Sequence, residues 1–286
     1  MSTRVTAPSV QARKVSQGHE PLVMVTAYDA PGARMVDEAG ADLILVGDSV
    51  AMVVLGYDDT LQVTTDDIAH HTAAVARAKP DAMIIGDLPW MSYHVSIEET
   101  VRNAATLVRA GAQAVKLEGG SNRLPMIEAL ISAQIPVMGH IGLTPQSINA
   151  FGGFRVQAKT TQAALELVAE AKALAHAGCF ALVLEGVPDD VARLVTDAVD
   201  VPTIGIGAGR HCDGQVLVFH DVLGLEDRFV PKFVRRYAEL KTVGVAALTE
   251  FAADVRSGAF PADDESYHLN AETAEELSLY GHDVDG

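Results

Sequence analysis

Four acidic residues each close a short apolar run: Leu43–Gly47 leads into Asp48-Ser49, Met83–Gly86 into Asp87, Ala114–Leu117 into Glu118-Gly119, and Ala181–Leu184 into Glu185-Gly186. A run of aliphatic residues closed by a carboxylate beside a Gly reads as a buried strand ending in a polar loop. Strands that end in acids at one face of a sheet pool negative charge. Pooled carboxylates repel one another unless a divalent cation, a proton or a basic group compensates. Oxygen donors suit a hard cation such as Mg2+. Zinc is disfavoured, because Cys179 and Cys212 form no CxxC pair and no zinc spacing. Both cysteines are expected as free thiols without catalytic work.

Lys116 lies two residues before Glu118, so strand alternation points both side chains the same way. A cation there can hold a substrate carboxylate or a developing oxyanion; the plainer reading is an ion pair with Glu118 alone. His140 closes a fifth apolar run, Pro136–His140. Each acid taken singly would serve as a helix cap. Four acids with a Lys and a His, all at strand ends, argue for a site instead. His70 and His71 are adjacent, point apart and read as packing or surface residues. Gly205-Ile206-Gly207-Ala208-Gly209 lacks the GxGxxG spacing and any following Lys-Ser/Thr. It reads as a tight glycine-lined wall near a ligand.

The elements that must carry these residues alternate along the chain. Strand candidates are Leu22–Ala27, Asp42–Val46, Ala82–Gly86, Ala114–Leu117, Pro136–His140, Ala181–Leu184, Pro202–Ile206 and Gln215–Phe219. Helical periodicity lies between most of them and is clearest over Thr100–Ala110 and Thr161–Ala177. Gly40, Gly111 and Gly178 stand where helices hand over to strands, as left-handed caps require. This pattern predicts an α/β fold, a (β/α)8 TIM barrel with its active site at the strand C-terminal mouth. The rival, a doubly wound open sheet, lacks its glycine fingerprint, since Thr26–Pro31 stands there. Residues 1–261 read as one barrel domain with an N-terminal extension and final helices at Pro231–Tyr237 and Val243–Ser257. Residues 262–286 carry eight Asp or Glu and no Lys or Arg. They read as a mobile tail with a short helix at Ala271–Ser278; the alternative is docking on a neighbouring subunit through Leu277, Leu279 and Tyr280.

The composition excludes several partners. Net charge is −17, from 38 acidic and 21 basic residues, with no basic footprint for nucleic acid or an anionic membrane. No apolar stretch approaches the roughly 18 residues that span a bilayer. Met1–Pro8 lacks the apolar core of a secretory signal, so the expected compartment is the cytoplasm.

Taken together, the segments resemble the ketopantoate hydroxymethyltransferase family. The matching stretches include Thr26–Asp29, Val46–Ser49, Gly86–Pro89, Val115–Gly120, Gly139–Ser147, Phe151–Gln157, Leu184-Glu185, Ile204–Gly209 and Cys212–Val218. The resemblance covers about Lys14 to His268. Trp90 and Gly186 depart from its usual pattern without removing a charged group. The resemblance implies a barrel of the phosphoenolpyruvate/isocitrate-lyase type. It implies hydroxymethyl transfer from methylenetetrahydrofolate to 3-methyl-2-oxobutanoate on the route to pantothenate and coenzyme A, with Mg2+. Carried over by motif, Asp48, Asp87 and Glu118 form the metal site. Asp48 through its main chain, with Ser49, Asp87 and Lys116, contacts the oxoacid, and Glu185 is the general base. His140 positions the substrate oxygens. A base of this kind works best with a raised pKa, which burial near other acids provides. The partners implied are a small oxoacid, a folate and further copies of the chain, in a homo-oligomer that the resemblance makes a decamer. The runner-up is a magnesium-dependent carbon–carbon lyase or phosphonopyruvate-type enzyme, but no Lys-Lys-Cys-Gly-His loop follows any strand. A barrel that only binds oxoacid or folate would not require Glu185.

Overall fold

Alternation along each strand sorts the side chains into an inner and an outer layer. The computed structural model describes residues 4–153, 155–226 and 230–280. Its strands are β1 (Leu22–Thr26), β2 (Leu43–Val46), β3 (Met83–Asp87), β4 (Ala114–Glu118), β5 (Val137–Gly142), β6 (Ala181–Glu185), β7 (Thr203–Ile206) and β8 (Gly214–Leu217). They pair in parallel and in sequence order, and β8 closes on β1. Met24 stands opposite Leu43, Leu43 opposite Met83, and Val23 opposite Gln215. This is a closed (β/α)8 barrel, as the alternating pattern predicts.

The inner layer is Leu22, Met24, Leu43, Leu45, Met83, Ile85, Ala114, Met138, Phe180, Ala181, Val183, Ile204 and Val216. Val10, fully buried, and Ala7 join it from helix α1 (Ala7–Gln11), which therefore plugs the N-terminal end of the barrel. Beside it Lys14 Nζ meets Asp213 Oδ2 at 2.9 Å, and Asp213 also accepts the N–H groups of Val15 and Thr203. The outer layer, Ile44, Val46, Ile84, Leu117, Ile141, Leu182 and Leu184, packs against Ile68, Leu107, Leu130 and Leu174 of the helices. Burying each such side chain contributes about 1.5–3 kcal/mol.

The helices of this unit are α2 (Ala30–Glu38), α3 (Val50–Val53), α4 (Thr65–Arg77), α5 (Ile97–Ala110), α6 (Leu124–Ser132), α7 (Ile148–Phe151), α8 (Thr161–His176), α9 (Asp189–Ala198) and α10 (Phe219–Leu223). Ser96 caps α5 by accepting the Glu99 N–H at 3.1 Å. Gly111 ends it at φ +116°, where an added Cβ would lie 2.4 Å from the Ala76 side chain of α4. Most expected element ends shift by one to three residues, and two differences are larger in kind. Phe219 opens α10 instead of ending β8. Pro231–Tyr237 forms no helix: a single turn closes at Val234, and the Tyr237 N–H is taken by the Val222 carbonyl at 2.8 Å. Cys179 and Cys212 are both buried and unpaired.

Two compact units divide the chain, Met1–Ala238 and Glu239–Gly286. The second holds α11 (Leu240–Ser257) and α12 (Ala271–Tyr280), which extends the short helix read from the sequence. Within it the Phe251 and Phe260 rings meet edge to face at 5.3 Å. Leu277 is exposed; the side chains of Leu279 and Tyr280 and residues 281–286 lie outside the described residues.

Candidate active site

The inward positions of the strands turn polar at their C-terminal ends. Asp87 continues the set Met83, Ile85; Lys116 and Glu118 continue Ala114; His140 continues Met138; Glu185 continues Ala181, Val183. Asp48 and Ser49 follow one turn past β2. All of these residues line one cavity of about 1010 Å³ at that end of the barrel. Its outer wall is largely apolar, with Met52, Val53, Leu143, Val187, Pro188 and Phe233.

The polar tier is densely paired. Lys116 Nζ donates to Asp87 Oδ1 at 2.6 Å and stands 3.8 Å from Glu118 Oε1. Asp87 Oδ2 accepts the Asp48 N–H at 3.2 Å. The main chain at Asp48, which the resemblance offers to the oxoacid, is thus turned to Asp87. His140 sits between two acids, with Nδ1 3.4 Å from Glu118 Oε1 and Nε2 3.3 Å from Glu185 Oε2. Neither contact is aligned as a hydrogen bond, so the ring is held by charge and proximity. Ser49 Oγ shares a hydrogen bond of 2.8 Å with the Tyr28 hydroxyl. Glu185 is the least enclosed of the acids, its side chain 15% exposed against 2% for Glu118.

Charge here is unevenly compensated. Burial, then the neighbouring Asp87 and Glu118, push the Asp48 carboxyl well above the usual carboxylate range. Burial also raises Asp87, although Lys116 works against it. Burial would raise Glu118 too, but His140, Lys116 and the Gln146 N–H outweigh it and hold it low. Burial and Lys116 oppose a charge on His140, yet Glu118 and Glu185 prevail and raise its pKa to about 9. At the strand ends Lys116 and His140 stand against Asp48, Asp87, Glu118 and Glu185, and Arg155 and Lys232 line the same cavity further out. The strand-end carboxylates outnumber these two cations, and the upward push on Asp48 and Asp87 is one that a divalent cation would relieve. Among the described residues no three His, Cys, Asp or Glu side chains are drawn together as a ready cage. The carboxylates instead stand around the cavity, each held by a basic or amide neighbour.

The structure brings together every site residue named from the sequence. It differs in the surroundings of Glu185, whose nearest charged neighbour is a histidine rather than another acid. His71 is a packing residue, its Nδ1 2.7 Å from the Tyr28 carbonyl, and its ring meets that of His70 edge to face. Gly207 and Gly209 line the cavity wall, and Phe233 lies against Gly207 where a Cβ would come within 2.7 Å. Two residues escaped sequence reasoning. Tyr93 gave no signal, and Gln146 lay unremarked inside the Gly139–Ser147 stretch; both are buried among the carboxylates.

Gly142 sets how closely β5 approaches Glu185. Its φ is +95°, and a Cβ would lie 2.4 Å from the Glu185 carbonyl oxygen. Gly142→Ala should cost about 1–3 kcal/mol of stability through backbone strain and lower turnover by displacing Glu185. Thermal unfolding and steady-state kinetics check this; unchanged values in both would show that the approach is not needed.

Fold and site together define a closed (β/α)8 barrel with a charged cavity at the C-terminal ends of its strands. Solved structures with this fold include 2,3-dimethylmalate lyase (TM-score 0.57, 17% identity, covering 97% of this chain and 99% of that one). Another is phosphonopyruvate hydrolase in complex with oxalate and Mg2+ (TM-score 0.59, 14% identity, 97% and 98%). The chain belongs to the ketopantoate hydroxymethyltransferase family, whose model matches residues 4–263. It is 53% identical over 279 residues to the 3-methyl-2-oxobutanoate hydroxymethyltransferase of Syntrophobacter fumaroxidans, covering 97% of this chain and 98% of that protein. It is 58% identical over 244 residues to the enzyme of that name from Ignicoccus hospitalis, covering 85% and 92%.

Proposed function

We infer that this chain transfers a hydroxymethyl group from methylenetetrahydrofolate to 3-methyl-2-oxobutanoate, giving ketopantoate for pantothenate biosynthesis. The observation that carries this reading is the placement of Glu185, Lys116 and the three inner carboxylates in one cavity. The cavity is far larger than a five-carbon oxoacid, and its apolar outer wall suits a second, bulky substrate. Asp48, Asp87 and Glu118 would hold Mg2+, since three carboxylates lining one cavity suit a hard divalent ion. When bound, such an ion would supply Lewis-acid polarisation of the substrate ketone and offset negative charge developing there. A barrel neighbour whose structure contains oxalate with Mg2+ supports that pairing of a hard cation and a small dianion.

The chain's own groups supply the rest. Lys116 Nζ and Ser49 Oγ bind and orient the oxoacid oxygens. Glu185 removes the C3 proton. His140, charged, steadies Glu185 Oε2 and leaves the other carboxylate oxygen to receive it. The C3 carbanion then attacks the folate-borne methylene carbon, and one water enters in the overall reaction. Stoichiometric release of tetrahydrofolate and ketopantoate, measured with Mg2+ and with a chelator, tests the reading. Product without folate, or folate turnover without ketopantoate, would overturn it.

The cytoplasm suits the two unpaired, buried thiols. A homo-oligomer, a decamer by resemblance, is supported by α11. None of its residues is buried, and Val243, Leu248 and Phe251 are 63, 69 and 52% exposed. Such an apolar face marks an interaction surface. Leu248→Glu with Phe251→Glu should give a smaller species in sedimentation; an unchanged assembly would remove α11 from the interface. Residues 262–286 stand outside the catalytic barrel in this reading. Deleting 270–286 should leave turnover nearly unchanged in the coupled assay, and an inactive product would show the segment to be structural.

A further inference from the structure

Gln146 lies in the short turn Pro145–Ser147 that follows β5 and is 5% exposed. Its main chain and side chain each grip a different carboxylate. The Gln146 N–H donates to Glu118 Oε2 at 3.0 Å. Its side-chain Nε2 donates to Asp48 Oδ2 at 2.9 Å and to the Leu88 carbonyl at 3.0 Å. The amide can be used this way only if its oxygen faces elsewhere. Tyr93 fixes that: its hydroxyl donates to Gln146 Oε1 at 2.6 Å and accepts the Glu118 N–H at 3.2 Å.

The donors and acceptors in this chain of contacts are mutually consistent. Glu118 N–H gives to Tyr93, Tyr93 gives to Gln146, and Gln146 gives to Asp48. Reversing the amide would set an oxygen against the Asp48 carboxylate and an N–H₂ against the Tyr93 proton. The tyrosine is itself well seated, 1% exposed, with the Arg123 guanidinium 5.3 Å from its ring centre. With Oδ2 so occupied, Asp48 Oδ1 has no hydrogen-bond donor among the described residues.

We propose that Gln146, locked by Tyr93, is a positioning residue that ties back one oxygen of Asp48 and aims the other into the cavity as a divalent-cation ligand. This rests on the Mg2+ reading above. An uncharged donor suits the task. A lysine there would cancel charge that the ion needs, and a glutamate would add a further repelled acid without supplying a donor. Hydrogen bonds that orient ligating carboxylates typically affect metal affinity by about 10- to 100-fold.

Mn2+ serves as the probe, titrated into metal-stripped full-length protein and followed by the loss of its free-ion electron paramagnetic resonance signal. Gln146→Met keeps the main-chain N–H to Glu118 and removes only the side-chain amide. It should weaken Mn2+ binding by about 10- to 100-fold. Tyr93→Phe, which only removes the hydroxyl, should weaken it by a smaller factor. The double variant should bind little more weakly than Gln146→Met, because the tyrosine reaches Asp48 through the glutamine and its other bond, from the Glu118 N–H, holds main chain and not the ligating carboxylate. Unfolding of the metal-free proteins, followed alongside, confirms that the comparison is between folded states, and Tyr93→Phe preserves the test should Gln146→Met fold poorly. Mn2+ affinity within twofold of the wild type in folded Tyr93→Phe and Gln146→Met would overturn the proposal. So would losses that multiply in the double variant. A wild-type protein that takes up no Mn2+ would instead overturn the metal reading beneath it.

Discussion

Glu185→Gln should bind 3-methyl-2-oxobutanoate as the wild type does and turn it over about 10²–10⁴ times more slowly, the usual range for losing general-base assistance. The substitution preserves size and one oxygen, so the cavity wall should be unchanged. What it removes is the proton acceptor at the end of β6. It also removes a charge that faces His140 Nε2 at 3.3 Å. The loss should fall on kcat, with oxoacid affinity measured by calorimetry nearly constant. A variant that lost affinity and kept kcat would make Glu185 a binding group instead.

Asp48→Asn and Asp87→Asn should both abolish Mg2+ activation, with losses beyond the 10- to 100-fold usual for outer partners of a metal site. Their effects on the metal-free protein should have opposite signs. Asp48 is repelled by Asp87 and Glu118 and is held by an amide, so an asparagine relieves repulsion and still accepts from Gln146. Its thermal midpoint should rise, as happens when a functional site stores unfavourable charge. Asp87 is the close partner of Lys116 at 2.6 Å, both nearly fully buried. Its asparagine variant leaves a buried ammonium short of charge and should lose about 3–5 kcal/mol of stability. Scanning calorimetry with and without Mg2+ checks both signs. Equal destabilisation by the two substitutions would show that Asp48 is not under electrostatic stress.

Much of this arrangement was legible in the chain because it rests on alternation. Apolar runs ended in acids, and period two placed Lys116 with Glu118 on the inner side, where the barrel interior continues from Ala114. Glycines such as Gly111 marked the handover from helix to strand through a backbone angle other residues avoid. The remainder depends on contacts between distant segments, which no local pattern encodes. Tyr93 reaches Gln146 across 53 positions and Gln146 reaches Asp48 across 98. The placement of His140 against Glu185 follows from β5 pairing with β6, where His140 stands opposite Val183. The missing helix at Pro231–Tyr237 has the same origin: its composition permits a helix, but Val222, on another segment, takes the Tyr237 N–H.

The central claim is that Glu185 takes the C3 proton of the oxoacid in this cavity. Nuclear magnetic resonance of 3-methyl-2-oxobutanoate in deuterated water, with Mg2+ and enzyme but no folate, reads that step alone. The account predicts loss of the C3 proton signal with the wild type and little or none with Glu185→Gln at equal oxoacid occupancy. Exchange at the wild-type rate in the glutamine variant would contradict it.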